Sequence, residues 1–185
     1  MKDEFKSYIL EEIPALKKYN GKLSFFLQMR IICWLNASYD AIYMIRYMLF
    51  YKKSHNFIKR INRIRYNRLL IQKYGIFCNV NSCSDIGKGL FIPHPHGIVL
   101  GAGVTMGENC IVYQDVTWIN RREGGINEPK IYPIVGNNCI FYAGCKVIGA
   151  VHIQDDTIIG ANFVLRCDTE SKSIYAGVPA KRIDL

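Results

Sequence analysis

Residues that could take part in acid–base chemistry concentrate in two segments of the 185-residue chain. The first, residues 93–97, carries His94 and His96, each preceded by a proline. The second runs from Ile119 to Ile134 and holds two arginines and two glutamates. Imidazole is the side chain that gains and loses a proton near neutral pH, and function concentrates on loops held by a rigid scaffold. These two segments are therefore the candidate site.

A six-residue repeat between residues 80 and 170 is the scaffold that must hold them. An apolar residue recurs at every sixth position, and a second small or apolar residue follows four positions later. A helix would require a spacing of 3.6 residues, whereas a period of six predicts a parallel β-helix in which three hexads make one coil. Chance spacing within an ordinary sheet would not keep its phase over so many units. The thirteen inward positions are Val80, Ile86, Ile92, Leu100, Met106, Val112, Trp118, Val135, Phe141, Val147, Ile153, Ile159 and Leu165.

The two candidate segments lie where this repeat loses its phase. The step from Ile92 to Leu100 is eight residues and the step from Trp118 to Val135 is seventeen, instead of six. Leu100 and Trp118 are three hexads apart and should stack on one side of the prism, which places the two segments on different corners of one subunit. They can form a single pocket only where corners of neighbouring subunits meet. We therefore expect a closed homotrimer around a three-fold axis.

The region before the repeat is predicted to be helical and basic. Residues 3–19 form a short polar helix, residues 23–51 follow an apolar helical pattern, and residues 55–73 form an amphipathic helix. Charged residues cut the apolar pattern into runs much shorter than the roughly twenty residues that a bilayer requires. No acidic residue occurs between Asp40 and Asp85. The cations on the third helix indicate either a solvated face or peripheral contact with an anionic membrane, and no nucleic-acid recognition motif accompanies them.

Composition and cysteine usage indicate one chain with three parts. An α-helical N-terminal region covers residues 1–77, a β-helix domain covers 78–170 with an excised loop at 119–134, and a C-terminal tail covers 171–185. The seven cysteines include no Cys-x-x-Cys pair, and three fall on small inward positions, where a free thiol packs as a small hydrophobe. We therefore expect no disulfides, no metal, and a reducing cytoplasm as the setting.

Four motifs occur in order along the repeat. They are Gly-Lys-Gly-Leu-Phe-Ile-Pro-His-Pro-His-Gly-Ile-Val-Leu-Gly at 87–101, Ala-Gly at 143–144, Gly-Ala-Asn at 160–162 and Ala-Gly-Val-Pro-Ala-Lys at 176–181. Together they resemble the serine acetyltransferases and their relatives in surface-polysaccharide assembly, over about residues 46–185. The resemblance implies a left-handed β-helix, trimers, acetyl-CoA as the donor and transfer of an acetyl group to a hydroxyl.

The resemblance also implies roles for individual residues. The family's catalytic histidine falls on His94, which would take the proton of the acceptor hydroxyl as that oxygen attacks the thioester. His96, on a small inward position, is expected to be a packing residue or one that supports the base, and it is the rival to His94 as the base itself. An aspartate that orients the family's histidine aligns with Asn79. A second family histidine maps to Glu128 by sequence or to Tyr132 by repeat phase, so Glu128 is either a partner of His94 from a neighbouring subunit or a solvated loop acid.

For the donor, the resemblance implies a groove along the coils in which small residues let the pantetheine arm approach the backbone and cations contact the phosphates. Tight β-helix corners also require small residues for their own sake, so each of these positions has a structural explanation beside the functional one. The donor positions are Ala143, Gly144, Gly160 and Ala161 for the arm, and Lys181 and Arg182 for the phosphates.

Departures from the family pattern bear on the acceptor. Pro93 stands where the serine enzymes have an aspartate that helps to hold serine, and neither Glu128 nor Tyr132 is the second histidine. We therefore expect a sugar hydroxyl in capsule or lipopolysaccharide biosynthesis, with serine as the alternative acceptor. A non-catalytic β-helix scaffold is the alternative of another class. A zinc-dependent β-helix enzyme is disfavoured, since its metal takes three histidine ligands.

Overall fold

The computed structural model describes residues 2–14, 16, 24–78, 85–120, 132–177 and 181–183 of the chain. Among these residues, four α-helices precede the repeat, and the last three each begin after a polar residue whose side chain accepts a hydrogen bond from a backbone amide of the first turn. These helices are α1 (Lys2–Glu12), α2 (Phe25–Leu35), α3 (Ala37–Phe50) and α4 (Phe57–Tyr74).

The apolar pattern over residues 23–51 contains two helices, where the sequence predicted one continuous segment. Asn36 is extended, with φ −136° and ψ 113°, and separates α2 from α3. Its backbone N–H donates to Ile32 at the end of α2, while its side chain accepts from the Tyr39 amide at the start of α3. Hydrophobic periodicity continues through this position, so the break was not visible in the pattern.

Within the described residues, the repeat and the segments next to it form fourteen short strands arranged in three sheets. We number the sheets by strand order: sheet 1 is β1-β3-β6-β9-β12, sheet 2 is β2-β4-β7-β10, and sheet 3 is β5-β8-β11-β13-β14. The strands are β1 (Phe77–Cys78), β2 (Asp85–Ile86), β3 (Val99–Leu100), β4 (Thr105–Met106), β5 (Ile111–Val112), β6 (Thr117–Ile119), β7 (Ile134–Val135), β8 (Ile140–Phe141), β9 (Lys146–Ile148), β10 (His152–Ile153), β11 (Ile158–Ile159), β12 (Val164–Leu165), β13 (Ile174–Ala176) and β14 (Lys181–Ile183).

Strand register confirms the predicted parallel β-helix. Leu100 pairs with Trp118, three hexads later, and Trp118 pairs with Val147 across the second phase break. Of the thirteen predicted inward positions, the twelve within the described residues are buried. Val80 lies outside that part of the chain. The core is therefore a column of apolar side chains in which each coil covers the one before it.

The two phase breaks lie on different corners of the prism, as predicted. Residues 93–97 connect Phe91, which bridges to β5 of sheet 3, with β3 of sheet 1. Ile119 ends β6 of sheet 1, and Ile134 begins β7 of sheet 2. We call the corner between sheets 3 and 1 the His94 corner; the chain passes it at residues 93–97, 113–115, 142–144 and 160–162.

Helix α3 joins the helical region to the prism. Its apolar residues share one core with the first coils, and Arg46, 1% exposed, crosses the boundary between them. The Arg46 Nε donates to both Glu12 carboxylate oxygens, at 3.0 and 2.8 Å, and its terminal nitrogens donate to the carbonyls of Ile86 and Gly87. Burial raises the pKa of Glu12, against the opposing effects of Arg46 and the Leu90 amide. This pair fixes α1 and α3 onto the first coil.

Helix α4 confirms the predicted amphipathic helix but leaves its apolar face uncovered in the single chain. Leu70 is fully buried against the core, whereas Ile58, Ile61 and Ile64 are 67%, 47% and 58% exposed. None of the helices in the described ranges has the length and apolar content that crossing a bilayer demands.

Gly87, Gly107 and Gly136 form a column in which successive coils touch through their backbones. A Cβ atom at Gly87 would lie 2.6 Å from the carbonyl carbon of Gly107, and one at Gly107 would lie 2.7 Å from that of Gly136. Because a backbone neighbour cannot rotate away, these positions require glycine for the coils to stack.

We expect Gly107→Ala to lower the free energy of unfolding by about 1–3 kcal/mol, as overpacking does, because two coils must separate to admit the methyl group. Denaturant unfolding followed by circular dichroism measures this change. Glu108→Ala, at an exposed position of the same turn, is the control and should shift stability by less than about 0.5 kcal/mol. Equal stability of Gly107→Ala and the parent protein would contradict the proposed contact.

Candidate active site

His94 projects from the corner where the chain leaves the prism for the first time. It is exposed and sits between two prolines, whose rings fix φ near −65°. The His96 amide donates to the His94 carbonyl at 2.8 Å, and Gly97 has φ 66°, so the loop turns back tightly toward sheet 1. A Cβ at Gly97 would lie 1.9 Å from the Asp115 carboxylate. The loop is thereby held against the coil that follows it.

Backbone hydrogen bonds stack later turns of the chain onto this loop at the same corner. The Asp115 amide donates to the His96 carbonyl at 2.8 Å, and the Gly144 amide donates to the Gln114 carbonyl at 2.9 Å. One coil further, the Asn162 amide donates to the Ala143 carbonyl at 2.8 Å. The His94 corner is therefore a continuous ladder running from the histidine toward the C-terminal coils.

Four of the predicted donor residues lie on this ladder. Ala143, Gly144, Gly160 and Ala161 are partly or fully accessible, and coils of a β-structure lie roughly 4.8 Å apart, so Ala161 is roughly 14 Å from His94 along the corner. Two of the glycines are also explained by packing alone. A Cβ at Gly144 would lie 2.2 Å from the Asn162 side-chain oxygen, and one at Gly160 would lie 2.9 Å from the Ala176 Cβ.

Two tyrosines stand between His94 and the small residues, and the sequence analysis did not include them. The Tyr113 and Tyr142 rings stack at 5.2 Å with an interplanar angle of 19°, and the Tyr113 ring lies 6.2 Å from that of His94. Tyr142 is 40% exposed. The sequence did contain a signal for them. Each tyrosine directly follows an inward residue, whereas several other hexads have glycine at that position, as at Gly87 and Gly107.

Of the remaining predicted site residues, the structure describes only some. Asn79 and Glu128 lie outside the described residues. Lys181 and Arg182 belong to β14, which pairs antiparallel with β13, and their side chains are not described. Tyr132, the alternative match for the second family histidine, packs on another corner, where a Cβ at Gly103 would lie 2.4 Å from its ring.

His96 does not occupy the inward position that the repeat predicted for it. Its side chain is exposed, and Ile98, which is fully buried, fills the core instead. The His96 Nδ1 lies 2.9 Å from the carbonyl oxygen of Tyr74. The two-residue phase break shifts the inward register within the loop, which explains the error. The other two histidines, His55 and His152, are exposed.

Cys78, Cys110, Cys139 and Cys145 are buried packing residues, whereas Cys167 is exposed. Burial raises the pKa of Cys78 and of Cys145 to about 12, so both stay protonated near neutral pH and neither is a thiolate nucleophile. Within the described part of the chain, no three histidine, cysteine or acidic side chains come together in a way that would hold a metal ion.

Comparison with known proteins gives one consistent group of relatives. A serine acetyltransferase of Helicobacter pylori strain J99 is 38% identical over 102 residues, which cover 54% of this chain and 57% of the relative. A serine acetyltransferase of Staphylococcus aureus strain Mu50 is 28% identical over 181 residues, covering 97% of this chain and 75% of the relative. The match thus spans little more than half the length of the Helicobacter pylori relative. No family model matches it.

Solved structures show the fold. Soybean serine acetyltransferase complexed with serine superposes with a TM-score of 0.72 at 20% identity, covering 98% of this chain and 70% of that chain. A serine acetyltransferase in complex with CoA superposes with a TM-score of 0.67 at 19% identity, with coverages of 98% and 70%. The class of fold is therefore the left-handed parallel β-helix. The resemblance to the serine acetyltransferases is confirmed by the relatives found by sequence, and the solved structures show the fold that it implied.

Proposed function

We propose that the protein is an acetyl-CoA-dependent O-acetyltransferase with His94 as its general base. The observation that carries this proposal is the His94 corner, which aligns one exposed imidazole with small, accessible residues on the second and third coils after it. The matches to serine acetyltransferases, one of them solved with CoA, support acetyl-CoA as the co-substrate.

The proposed reaction needs one proton acceptor close to the thioester. The neutral His94 imidazole takes the proton of the acceptor hydroxyl as its oxygen attacks the thioester carbonyl. The tetrahedral intermediate then collapses, the C–S bond breaks, and the imidazolium returns the proton to the departing CoA sulfur. General base catalysis of this kind contributes about 10²- to 10⁴-fold to the rate.

Other residues enter the proposal on the strength of sequence alone. Asn79 would orient His94 by accepting a hydrogen bond from its ring, and Glu128 of a neighbouring subunit would act as a carboxylate partner. In the donor groove, Ala143, Gly144, Gly160 and Ala161 would admit the pantetheine arm, and Lys181 and Arg182 would contact the phosphates.

Serine is the first candidate for the acceptor. The relatives found by sequence are serine acetyltransferases, and one of the structural neighbours holds serine. The comparisons do not support the sugar acceptor that the sequence predicted, yet one observation favours it as the second candidate. The stacked rings of Tyr113 and Tyr142 beside His94 offer an aromatic face to a cyclic acceptor, which serine would not use.

We expect CoA release from acetyl-CoA in the presence of serine, measured as free thiol, to fall by at least about 10²-fold in His94→Ala. His152→Ala, at another exposed histidine, should retain the parent rate. The same assay with sugar nucleotides and oligosaccharides distinguishes the two acceptors. Absence of acetyl transfer to every acceptor would contradict the proposed function, and full activity of His94→Ala would contradict the assigned base.

The outer face of sheet 3 supports a homotrimer as the working unit. Its outward positions carry five apolar residues in a row along the prism, whereas sheet 2 presents Asp85, Thr105, Ile134 and His152. An unbroken apolar stripe on a flat sheet is typical of a covered interface. The residues of the stripe are Phe91, Ile111, Ile140, Ile158 and Ile174.

We expect Ile140→Asp to convert the trimer to monomers in light scattering and to abolish acetyl transfer, because the charge would be buried in the interface. Ile134→Asp places the same charge on the outer face of sheet 2 and should leave the trimer intact. A monomeric parent protein, or a trimer that survives Ile140→Asp, would contradict this arrangement.

The exposed face of α4 supports peripheral contact with an anionic membrane. Phe57 and Ile58 are 75% and 67% exposed, and further along the helix Arg65 and Arg68 line a groove with Ile61 and Ile64. Apolar residues flanked by cations are the pattern of helices that lie at a lipid interface, and each cation near an anionic surface contributes about 1 kcal/mol.

We expect the protein to cosediment with vesicles that contain phosphatidylglycerol and not with phosphatidylcholine vesicles, and Arg68→Glu to weaken this binding. Arg166→Glu, an equal charge change at the far end of the prism, is the control. Failure to bind either vesicle would contradict membrane contact. Self-association through this face would appear instead as a larger assembly that Phe57→Ser disrupts.

A further inference from the structure

We propose that His96 and Ser38 are positioning residues, through which helices α3 and α4 hold the His94 loop from two sides. The inference rests on the proposed function, since it concerns how His94 is presented to its substrates. Ser38 lies far from the site in sequence, and both residues act through backbone carbonyls that only the folded chain brings next to them.

The first point at which hydrogen bonds attach the His94 loop to a helix is the C-terminal end of α4. The last carbonyls of a helix have no partner within it, and that of Tyr74 accepts two hydrogen bonds from the loop. The Gly97 amide donates to it at 3.0 Å, and the His96 Nδ1 lies 2.9 Å away. Gly75 ends the helix with φ 60°, which leaves this carbonyl open to the loop.

The second point of attachment is the N-terminal end of α3. The Ser38 hydroxyl donates to the Pro93 carbonyl at 3.0 Å. The residues before and after His94 are thus tied to two different helices, while the prolines at 93 and 95 restrict the backbone between them. His94 itself remains exposed, so its backbone is fixed and its ring is left free for substrate.

A third set of contacts holds the two helices to each other beside the loop. The Tyr74 hydroxyl donates to the Asp40 carboxylate at 2.8 Å, and the Lys73 ammonium donates to the same oxygen at 3.0 Å. Burial, followed by its bond to Asp40, raises the pKa of the Tyr74 phenol, so that it stays a hydrogen-bond donor near neutral pH. The Tyr74 carbonyl is therefore a fixed point of attachment.

The bond to Tyr74 also determines which nitrogen of His96 carries a proton. A carbonyl oxygen can only accept, so Nδ1 must be the donor, and the neutral ring keeps its lone pair on Nε2. His96 is then an anchor through Nδ1, and the general base remains His94. The two roles make opposite predictions for the amide substitutions of His96.

Substitution of His96 by asparagine or by glutamine distinguishes the role of Nδ1 from that of Nε2. In His96→Asn the side-chain amide nitrogen occupies about the position of Nδ1 and keeps the bond to Tyr74, whereas the longer side chain of His96→Gln places its amide near Nε2. We expect His96→Gln to lower kcat by about 10- to 100-fold, because small misplacements of a catalytic group cost that much, with the KM for acetyl-CoA nearly unchanged. His96→Asn should recover most of this loss.

Ser38 gives an independent pair of variants. Ser38→Ala should lower kcat by several-fold, and Ser38→Thr, which keeps the hydroxyl, should restore it. If His96→Gln is the active variant and His96→Asn the inactive one, His96 acts through Nε2 and the proposal is wrong. Loss of activity that follows only loss of thermal stability, in all four variants alike, would also overturn it.

A spectroscopic measurement tests the anchor without any turnover. The chain has four histidines, so the imidazole ¹⁵N spectrum of histidine-labelled protein can be assigned with one substitution each. We expect His96 in the Nδ1–H tautomer, and the Nε2–H tautomer would overturn the proposal. Because this result does not depend on an acceptor, an inactive protein with an anchored His96 would contradict the proposed function and leave the positioning of the loop intact.

Discussion

The structure depends on one repeated constraint, the in-register hydrogen bonding of each coil to the coil three hexads before it. Leu100, Trp118 and Val147 stack in this way although a seventeen-residue step separates Trp118 from Val135. The backbone hydrogen bonds between neighbouring coils fix the position of each coil along the prism axis. The inward side chains fix which residues of each hexad face the core. Insertions can therefore leave only at corners, where they do not break the ladder.

The candidate site follows from that constraint. The corners of successive coils align along the prism axis. The loop of His94 therefore lies in line with Tyr113, Tyr142 and the small residues of the following coils as a consequence of coil stacking alone. The ladder supplies position along the prism, and the helices supply orientation, through Ser38 and the Tyr74 carbonyl. The buried Arg46–Glu12 pair, which bonds to carbonyls of the first coil, keeps the helical region in register with the coils. Removing one partner of such a pair leaves a buried charge and costs about 3–5 kcal/mol.

The sequence predicted the features that depend on spacing and missed those that depend on contact. The six-residue spacing of apolar residues was sufficient to predict the β-helix and its buried positions. The two interruptions of that spacing were sufficient to predict the two corners at which the chain leaves the prism. The spacing could not place His96, because the two extra residues of the loop shift the register locally and Ile98 takes the inward position. It also could not show that Ile58, Ile61 and Ile64 of α4 face outward, since an apolar stripe looks the same whether or not a partner covers it.

The sequence pattern and the comparisons favour different acceptors, a sugar and serine respectively, and there is a physical reason for the difference. A general base and a groove for the pantetheine arm are common to acetyl transfer, whereas the acceptor contacts only a few side chains around the base. Pro93, which departs from the family pattern, and the Tyr113–Tyr142 pair lie beside His94, where the proposed acceptor would bind. A single histidine corner can thus be kept while the acceptor changes.

Under the proposed function the donor lies along the His94 corner, and hydrogen–deuterium exchange of the parent protein with and without CoA is the measurement that tests this placement. We expect slower exchange, at saturating CoA, in peptides that cover residues 142–144 and 160–162, together with the loop at 93–97. Protection confined to the strands of sheet 2, or no protection anywhere, would contradict it.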